Sequence, residues 1–424
     1  MKYLTALREH VRNRVELIEK ADLVVGIPCY NNQNTIGHVI RQVSLGLHRF
    51  YPDRRCVIIV SDGGSVDDSR EEAGAVEVSP FQELLVTIYR GVPGKGSALR
   101  AVLEAARFLQ AEACVVVDSD LRSINHQWIG NLLQPILRDG YQFVAPYYRR
   151  FKLDGTITNN IIYKMTRTLY GKRVRQPIGG DFAFSSDVVN YLYNRDVWDT
   201  DVGRFGIDIW LTTMALVKGF RICQARLGAK IHDVKDPGQS LGPMFRQVVA
   251  TMFSLMEENL AYWWEIRGSE PIPVSGEEID IEPEEFPISI QTLIESFRNG
   301  YNQFGTLWQK ILSEASFREV RNLAEGGDGF GMEDRMWSHI LFDAASMYHC
   351  WQRNRFKLVE LLTPLYYARV ASNARAVEKM SDAEAEEDVE RQAGVFEEEK
   401  PYLLEKWAKA DERIRNGGCG QLSV

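Results

Sequence analysis

The stretch Cys114-Val115-Val116-Val117-Asp118-Ser119-Asp120 joins a short apolar run to two carboxylates. Similar runs occupy residues 23–28, 56–60 and 84–89, and segments with helical periodicity lie between them at 36–47, 66–73 and 96–109. Short apolar strands that alternate with helices indicate a parallel sheet covered on both faces. Ligands of such sheets bind beyond the carboxyl ends of the strands. We therefore expect the functional site among the polar residues that follow these runs.

The rest of the chain divides into a less regular part and a helical part. Strands are predicted at 143–148 and 181–184, helices at 157–170 and 207–217, and the end of the sheet near 220–225. Residues 244–264 follow one long helical pattern, and the proline-rich, acidic stretch 268–287 is typical of an exposed connection. We predict an α/β domain over 1–240, in two halves at about 20–120 and about 121–240. A helical region, 241–424, follows.

The composition excludes several classes of protein. The chain has 424 residues, with 50 Lys+Arg against 58 Asp+Glu and a net charge of -8. This charge argues against nucleic acid or an anionic membrane as the main partner. No apolar run approaches the roughly 20 residues that span a bilayer, and no signal sequence is recognisable, so we expect a cytoplasmic protein. The six cysteines show no metal-binding spacing, and we expect them to be reduced and mostly buried.

Asp118 and Asp120 are the first candidates for metal binding. Two carboxylates one residue apart at a strand end suit a hard divalent cation that holds a diphosphate. The alternative is an ordinary acidic turn. His232 follows an apolar alternating segment and is a candidate third ligand, although a single histidine is more often not a ligand.

Two glycine-containing loops are candidates for nucleotide binding. Lys95 lies between glycines in Pro93-Gly94-Lys95-Gly96, at a helix start that favours a phosphate, but the Walker A spacing is absent. Asp62, in Ser61-Asp62-Gly63-Gly64-Ser65, is placed to bond a base or a ribose. An N-capped strand-to-helix turn is the alternative for this loop.

Further candidates come later in the chain. The loop Gln176-Pro177-Ile178-Gly179-Gly180-Asp181 allows a ligand close to the backbone, and Asp208 lies at a helix start. Either aspartate could instead be an N-cap. Arg149 and Arg150 begin a basic stretch that could take an acceptor carboxylate, whereas a solvated helix face is the alternative for its lysines.

Taken together and in this order, these motifs resemble those of GT-A glycosyltransferases. Within that superfamily, the sequence is most similar to the retaining enzymes that make glucosylglycerate, mannosylglycerate or glucosyl-3-phosphoglycerate. The closer likeness rests on Pro93-Gly94-Lys95-Gly96, Gln176 to Asp181, Phe205-Gly206-Ile207-Asp208, and Gln224-Ala225-Arg226-Leu227-Gly228 leading to His232. It covers about residues 20–260. The resemblance implies a GT-A fold, a mixed Rossmann-like sheet, with a C-terminal all-helical region.

The resemblance also implies roles for individual residues. Asp208, Asp181 and Lys95 would be catalytic. Mg2+ or Mn2+ would be held by Asp120 and His232 with Asp118. The acceptor would meet Arg149, Arg150, Thr156 and Thr158. The nucleotide sugar would contact Pro28, Tyr30, Asn32, Asp62, Gly94, Lys95, Asp118, Ser119 and Gly180.

The implied activity is metal-dependent transfer of glucose or mannose from a GDP-, ADP- or UDP-sugar to D-glycerate, with retention of configuration, to make a compatible solute. Asn31-Asn32-Gln33 stands where family members often have an acid after the first asparagine, which puts a base or ribose contact there in doubt. Thr156 stands where enzymes that use 3-phosphoglycerate have an arginine. This departure favours unphosphorylated glycerate, although Lys152 could substitute. A homodimer is left open.

Two alternatives stay open at this stage. One is an inverting family 2 transferase with a polysaccharide or lipid-linked acceptor, although its Glu-Asp pair and membrane helices are not recognisable in the sequence. The other is a non-catalytic protein that binds sugar nucleotides. Nucleotidyl transfer fits less well because the first strand-to-helix turn, Gly26-Ile27-Pro28-Cys29, is poor in glycine.

Overall fold

The computed structural model describes residues 3–232, 237–285, 287–326, 329–351 and 353–417, with the backbone alone over 237–241. An eight-stranded mixed sheet has the order β10-β8-β5-β7-β4-β1-β2-β3, and β6 pairs separately with β9. The strands are β1 Leu23–Cys29, β2 Cys56–Asp62, β3 Gln82–Ile88, β4 Ala113–Val116, β5 Phe143–Arg149, β6 Lys172–Arg173, β7 Phe182–Ser185, β8 Ile222–Ala229, β9 Glu270–Pro271 and β10 Val274–Ser275.

The directions of the strands bring the candidate residues to one edge of the large sheet. β7 is antiparallel to both β4 and β5, whereas the other neighbours in this sheet are parallel. The carboxyl ends of β1, β2, β4, β5 and β8 and the start of β7 therefore lie at the same edge. β1 and β2 are buried at every residue, as expected for central strands covered on both faces.

Helices cover the sheet and make up most of the chain after residue 230. Gly26 of β1 lets Val102 of the fourth helix approach closely, since an added Cβ would lie 2.3 Å from Val102 Cγ1. The helices are α1 Glu9–Ile18, α2 Ile36–Phe50, α3 Ser69–Gly74, α4 Lys95–Phe108, α5 Gln127–Leu137, α6 Tyr163–Tyr170, α7 Ser186–Tyr193, α8 Ile207–Lys218, α9 Pro237–Glu258, α10 Leu260–Trp263, α11 Ile290–Ile311, α12 Glu314–Glu325, α13 Asp334–Cys350, α14 Arg355–Ala376, α15 Asp382–Glu398 and α16 Lys400–Arg415.

The predicted α/β fold of GT-A type with a C-terminal helical region is confirmed. Two helices differ in detail from the prediction. The helix expected over 157–170 begins as a π-helical turn, Thr158–Ile162, before α6. The long helix expected over 244–264 ends at Glu258, and α10 follows after Asn259.

The chain forms two compact units that do not follow a single boundary near residue 240. The first contains Met1–Arg149, Val174–Pro237 and Pro271–Glu284, and the second contains Arg150–Arg173, Gly238–Glu270 and Glu285–Val424. Residues 150–173 belong to the helical unit because α6 is bound to α15: Arg167 Nε donates to Glu397 Oε1 at 2.8 Å, and Lys164 Nζ donates to Gln392 Oε1.

The stretch 268–287 is not wholly the exposed connection that we expected. β10 pairs with β8, and Ile279 is buried in the core of the sheet unit. Its alternating apolar residues form a strand and a covering segment, which the prolines and acids of the sequence concealed. Phe286, within this stretch, lies outside the described residues.

The prediction for the cysteines is partly wrong. Cys29, Cys56, Cys114 and Cys223 are free and buried, and burial raises the pKa of each of these thiols to about 12. Cys350, in contrast, is disulfide-bonded. Cys419 lies outside the described residues.

Candidate active site

Five charged side chains meet at the carboxyl edge of the sheet and form what we call the charge cluster: Lys95, Asp118, Asp181, Asp208 and Lys230. Lys95 begins α4 and Asp208 lies in the first turn of α8, while the other three follow β4, precede β7 and follow β8. All five belong to the first unit. The structure thus brings together the three residues that were predicted to be catalytic.

Two lysines hold the carboxylates of the charge cluster. Lys95 Nζ lies 2.7 Å from Asp118 Oδ1 and 3.2 Å from Asp208 Oδ2. Lys230 Nζ lies 2.7 Å from Asp118 Oδ2 and 2.8 Å from Asp181 Oδ2. Asp118 N–H also donates to Asp181 Oδ1 at 2.7 Å. Both oxygens of Asp118 are therefore paired with ammonium groups.

The pKa shifts in the cluster follow from burial and from the two lysines. Burial would lower the pKa of Lys95, but Asp118 and Asp208 outweigh it, so the pKa is raised. Burial opposes ionisation of Asp118 as well, yet Lys230 and Lys95 hold the pKa of its carboxyl far below the usual range. For Asp181 and Asp208 burial prevails and raises the pKa.

Asp208 differs from the other two aspartates in having an unused acceptor. Its Oδ2 accepts from Lys95, while its Oδ1 is buried without a hydrogen-bond partner. A buried carboxylate oxygen without a donor is costly. The oxygen is therefore available to a hydroxyl group of a ligand.

Tyr148 and two glycines complete the surroundings of the cluster. The Tyr148 hydroxyl donates to Asp181 Oδ2, and Lys230 Nζ lies 5.2 Å from the centre of the Tyr148 ring. Gly180 has φ +93°, and an added Cβ would lie 2.2 Å from Asp118 Oδ2. Only glycine fits this position without displacing the Asp118 carboxylate.

The loop around Lys95 packs tightly against the turn that precedes α8. Gly94 N–H donates to the Tyr89 hydroxyl at 2.9 Å, and Gly96 N–H donates to the Arg204 carbonyl at 2.9 Å. These two amides are therefore not free for a phosphate, in contrast to our expectation for this helix start. The positive charge of the loop reaches the site through the Lys95 side chain instead.

The predicted nucleotide residues form the loops after β1, β2 and β4. Asp62 is fully buried, and it accepts hydrogen bonds from Gly64 N–H and Ser65 N–H at 2.8 and 2.9 Å. These bonds form a turn after the strand, which is the alternative to nucleotide binding given above for this loop. Asn32 Oδ1 accepts from the Ser119 hydroxyl at 2.8 Å and so links two of the loops. Pro28 pairs with Ser61 in the sheet, and the Tyr30 ring stands largely exposed beside them.

The candidate metal ligands are only partly brought together. Leu121 forms a β-bridge with His232, which places Asp120 and His232 on adjacent backbone segments. Within the described residues, no group of three His, Cys, Asp or Glu side chains is arranged to hold a metal ion. Asp118, whose oxygens bind Lys95 and Lys230, does not join the other two. The described residues therefore do not assemble the three-ligand set that the resemblance implies, and Asp120 with His232 stays a prediction.

The candidate acceptor residues are divided between the two units. In the first, Arg149 Nη2 lies 2.8 Å from both oxygens of Glu282. In the second, Arg150 pairs with Asp154, the Thr156 hydroxyl bonds the Tyr366 hydroxyl at 2.6 Å, and Thr158 is buried in the π-helical turn. Each of these groups except Thr158 thus already has an identified partner.

Lys152, the residue that could substitute for the arginine of the acceptor turn, already has backbone partners. Its Nζ donates to the carbonyls of Glu378 and Met380 at 2.8 and 2.7 Å, just beyond the end of α14. The lysine caps a helix end, which accounts for its charge without a substrate.

Lys230 and Tyr148 are site residues that the sequence analysis missed. Both lie at the carboxyl end of a parallel strand, Tyr148 at the end of β5 and Lys230 directly after β8. The rule that places ligands at these ends would have identified them. Neither residue belongs to the motifs of glycines and acids that distinguish Asp118, Asp181 and Asp208 in the sequence.

Comparison with known proteins gives a family match for part of the chain. Residues 24–192, that is 169 of the 424, match the glycosyl transferase family 2. This part of the chain is a glycosyltransferase domain, and the predicted enzyme class is confirmed for it. No curated protein matches the sequence. Among the described residues, no helix is long and apolar enough to cross a membrane.

Similar solved structures include complexes of glucosyl-3-phosphoglycerate synthase from Mycobacterium tuberculosis. One holds Mn2+, UDP and glucosyl-3-phosphoglycerate; it is 26% identical over 57% of this chain and 83% of that one, with a TM-score of 0.44. Another holds Mn2+, UDP-glucose and phosphoglyceric acid, at 25% identity over 58% and 83% of the two chains and a TM-score of 0.45. A third holds Mg2+ and UDP, at 25% identity over 57% and 82%, with a TM-score of 0.44.

Proposed function

We propose that this protein is a divalent-metal-dependent, retaining hexosyltransferase that moves glucose or mannose from a nucleotide diphosphate sugar to D-glycerate. The observation that carries the proposal is the charge cluster, in which Asp208 keeps one buried oxygen without a donor beside two buried lysines. A sugar hydroxyl would supply the donor that Asp208 Oδ1 lacks, and the lysines would face the negative charge of the diphosphate.

Asp120 and His232 are suited to hold Mg2+ or Mn2+. Such ions are commonly bound through one or two protein ligands together with substrate phosphates, so a two-residue site fits them. The bound ion would neutralise the departing diphosphate. Lys95 and Lys230 would keep Asp118 ionised and oriented and would add positive charge at the buried edge of the sheet.

Retention of configuration is proposed without a covalent intermediate. Asp181 accepts from Tyr148, Lys230 and the Asp118 backbone, so its oxygens already have donors and it is poorly placed to be a nucleophile. We propose that the acceptor hydroxyl attacks the same face of the sugar from which the diphosphate leaves. Proton NMR of the product decides this point, because an inverted anomeric signal would contradict the proposal.

The activity is tested with a panel of donors and acceptors. GDP-mannose and GDP-, ADP- and UDP-glucose are each paired with D-glycerate, 3-phosphoglycerate and lactate in the presence of Mg2+ or Mn2+, and released nucleotide diphosphate and product mass are followed. We expect turnover that requires glycerate and the metal. If a donor binds with metal while no small carboxylate is glycosylated, the acceptor part of the proposal is wrong.

The proposed metal site is tested by Asp120→Asn, with Asp139→Asn as a matched control at an exposed position of the same unit. We expect the first variant to lose at least about a hundredfold in kcat/KM and to need more Mn2+, since a metal ligand is lost. The control should retain both the activity and the metal requirement. Equal metal titration curves for the two variants would contradict a role of Asp120 as ligand.

A further inference from the structure

An acidic segment of the sheet unit follows β10. In residues 277–284, which we call the acidic strap, buried or half-buried positions alternate with exposed acids: Ile279 is 7% exposed and Ile281 packs on the same core. From Glu278 onward the exposed positions are Glu278, Asp280, Glu282 and Glu284, and Glu277 before them is exposed as well. This period of two turns the acids to one side of the strap.

Three arginines of the sheet unit face these acids. Arg226 Nε lies 2.6 Å from Glu278 Oε1. Arg149 bonds both oxygens of Glu282 through Nη2, and its Nη1 lies 3.7 Å from Asp280 Oδ1. Arg122 Nη2 lies 2.5 Å from Glu284 Oε2. Glu278, Asp280, Glu282 and Glu284 thus each lie beside an arginine.

The backbone of the strap is anchored independently of these ion pairs. Glu277 N–H donates to Asn131 Oδ1 at 3.1 Å, and Asn131 Nδ2 donates to the Glu277 carbonyl at 2.9 Å. Gly228, at φ +67°, leaves room for the Ile279 carbonyl, which would lie 2.9 Å from an added Cβ. The acidic side chains can therefore change partners while the backbone stays in place.

The arginines adjoin the active site through their chain neighbours. Arg149 follows Tyr148, whose hydroxyl bonds Asp181 of the charge cluster. Arg122 follows Leu121, the partner of His232, and its own N–H donates to the Ile231 carbonyl at 2.8 Å. Any anionic ligand of Arg149 therefore competes with Glu282 and Asp280 of the strap.

The charge of this surface is unfavourable to a multiply charged anion. The strap carries five acids, Glu277, Glu278, Asp280, Glu282 and Glu284, against the three arginines, so the formal sum is -5 + 3 = -2. Glu282 already accepts from the Arg149 guanidinium, with both carboxylate oxygens on Nη2. A ligand must displace it and must also tolerate the remaining negative charge.

We propose that the acidic strap determines acceptor selectivity, because Glu282 and Asp280 compete with the acceptor for Arg149 and the surplus negative charge favours a singly charged carboxylate over a phosphorylated one. The inference rests on the proposed function, with the acceptor at Arg149 as the resemblance implies. It assigns the choice between glycerate and 3-phosphoglycerate to residues of the strap.

The test compares Asp280→Asn/Glu282→Gln with Glu9→Gln/Glu16→Gln, a control that removes the same charge from α1 of the same unit. The kcat/KM values for 3-phosphoglycerate and for D-glycerate are measured at low ionic strength. We expect their ratio to rise about tenfold in the strap variant and to stay constant in the control, and the difference to shrink in about 0.5 M NaCl. A strap variant whose ratio stays within about twofold of the original overturns the inference.

A binding measurement separates this inference from the proposed function. Titration calorimetry with 3-phosphoglycerate as the probe is carried out on the original chain, on the strap variant and on the strap variant with Arg149→Gln. Tighter binding in the strap variant that is lost with Arg149 supports the inference even if no acceptor is turned over, in which case the proposed function is wrong. Unchanged binding overturns the inference whatever the turnover shows.

Discussion

Asp208 shows how a single residue of a ligand site can lower the stability of the folded state. Its carboxyl is buried, its pKa is raised, and one of its oxygens has no donor. Replacing it by a neutral isostere removes the cost of burying the charge, although Lys95 loses one of its two carboxylate partners and keeps Asp118. Stability and activity should therefore respond in opposite directions to this change.

We predict that Asp208→Asn raises the free energy of unfolding at pH 7 by about 1 kcal/mol and lowers kcat/KM at least about a hundredfold. Because the folded pKa is raised, the carboxyl is protonated in both states below its unfolded pKa, so the stability gain should disappear as the pH falls to about 4. Denaturant unfolding of the variant and of the original chain from pH 4 to pH 8 measures this difference in stability. A variant that is less stable at every pH would contradict the prediction.

Individual residues also show how far the site could be predicted. Lys95, Asp118, Asp181 and Asp208 were identified because glycines or a strand end flanked them, and the structure brings them together. Lys230 was not, although it directly follows β8, because its chain neighbours Ala229 and Ile231 are apolar and the two aspartates that it binds lie far away in the sequence. The pairing of Arg149 with Glu282, 133 residues later in the chain, likewise has no local signal in the sequence.

At the scale of elements, the start of α4 depends on a glycine that packs against backbone. An added Cβ at Gly96 would lie 1.9 Å from the Val202 carbonyl oxygen, so the turn before α8 would have to move. That turn leads into the helix that carries Asp208. A change at Gly96 therefore affects both stability and the position of a site residue.

We predict that Gly96→Ala lowers the free energy of unfolding by about 2 kcal/mol and weakens donor binding, because the clash involves backbone atoms that cannot rotate away. Gly74→Ala, in α3, is the matched control, since an added Cβ there meets nothing within 4 Å. It should be neutral or stabilising by up to about 0.5 kcal/mol. Equal thermal shifts in the two variants would contradict the role of close packing at Gly96.

A second element contact should make the helical unit sensitive to pH. His349, near the end of α13, lies between Glu257 and Asp411 at 2.9 and 2.8 Å and stacks on Trp407. Burial lowers its pKa, but the bonds to Glu257 and Asp411 outweigh burial, so the pKa is raised above 6.5. The protonated ring therefore links α9, α13 and α16.

We predict that His349 stabilises the helical unit fully below pH 6.5 and that this contribution, about 1.5 kcal/mol, is lost as the pH rises through the raised pKa. The free energy of unfolding of His349→Gln should change little with pH across that range. His48→Gln, an exposed histidine of α2, serves as the control and should keep the original pH dependence. Parallel stability curves for His349→Gln and the original chain between pH 6 and pH 9 would refute this account.

For the secondary structure, the sequence indicated most strands and helices, because buried parallel strands and amphipathic helices have clear patterns. β10 and the acidic strap were assigned to an exposed connection, since their alternation is brief and surrounded by prolines and acids. The period of two over Ile279 and Ile281 becomes visible only when the neighbouring core is known. The π-helical turn at Thr158–Ile162 has no distinct signal in the residue pattern.

At the scale of the whole molecule, the two units are interleaved along the chain. Residues 150–173 leave the sheet unit for the helical unit, and residues 271–284 return to the sheet unit. The composition of the chain predicts a domain boundary near residue 240, because no local feature of the sequence indicates that α6 is bound to α15. Neither unit is a continuous piece of chain.

We predict that a fragment ending at residue 240 does not fold into a soluble unit. The fragment lacks β10 and the strap. It also retains α6 without the partners of Lys164 and Arg167, so side chains that are buried in the full chain become exposed. Size-exclusion chromatography and dye binding, with the full chain as control, should show aggregation or exposed apolar surface. A monomeric fragment with a cooperative unfolding transition would show that the interleaving is dispensable.

The long separation of α6 and α15 along the chain also has a consequence for synthesis on the ribosome. Tyr170 ends α6 and Asp382 begins α15, which is 382 − 170 = 212 positions later. At about 5–20 residues per second, the nascent α6 waits about 10 to 40 s for the helix that covers it. During that interval its apolar and aromatic side chains face the surroundings, so the emerging polypeptide is a natural client for chaperones that bind exposed helices before translation ends.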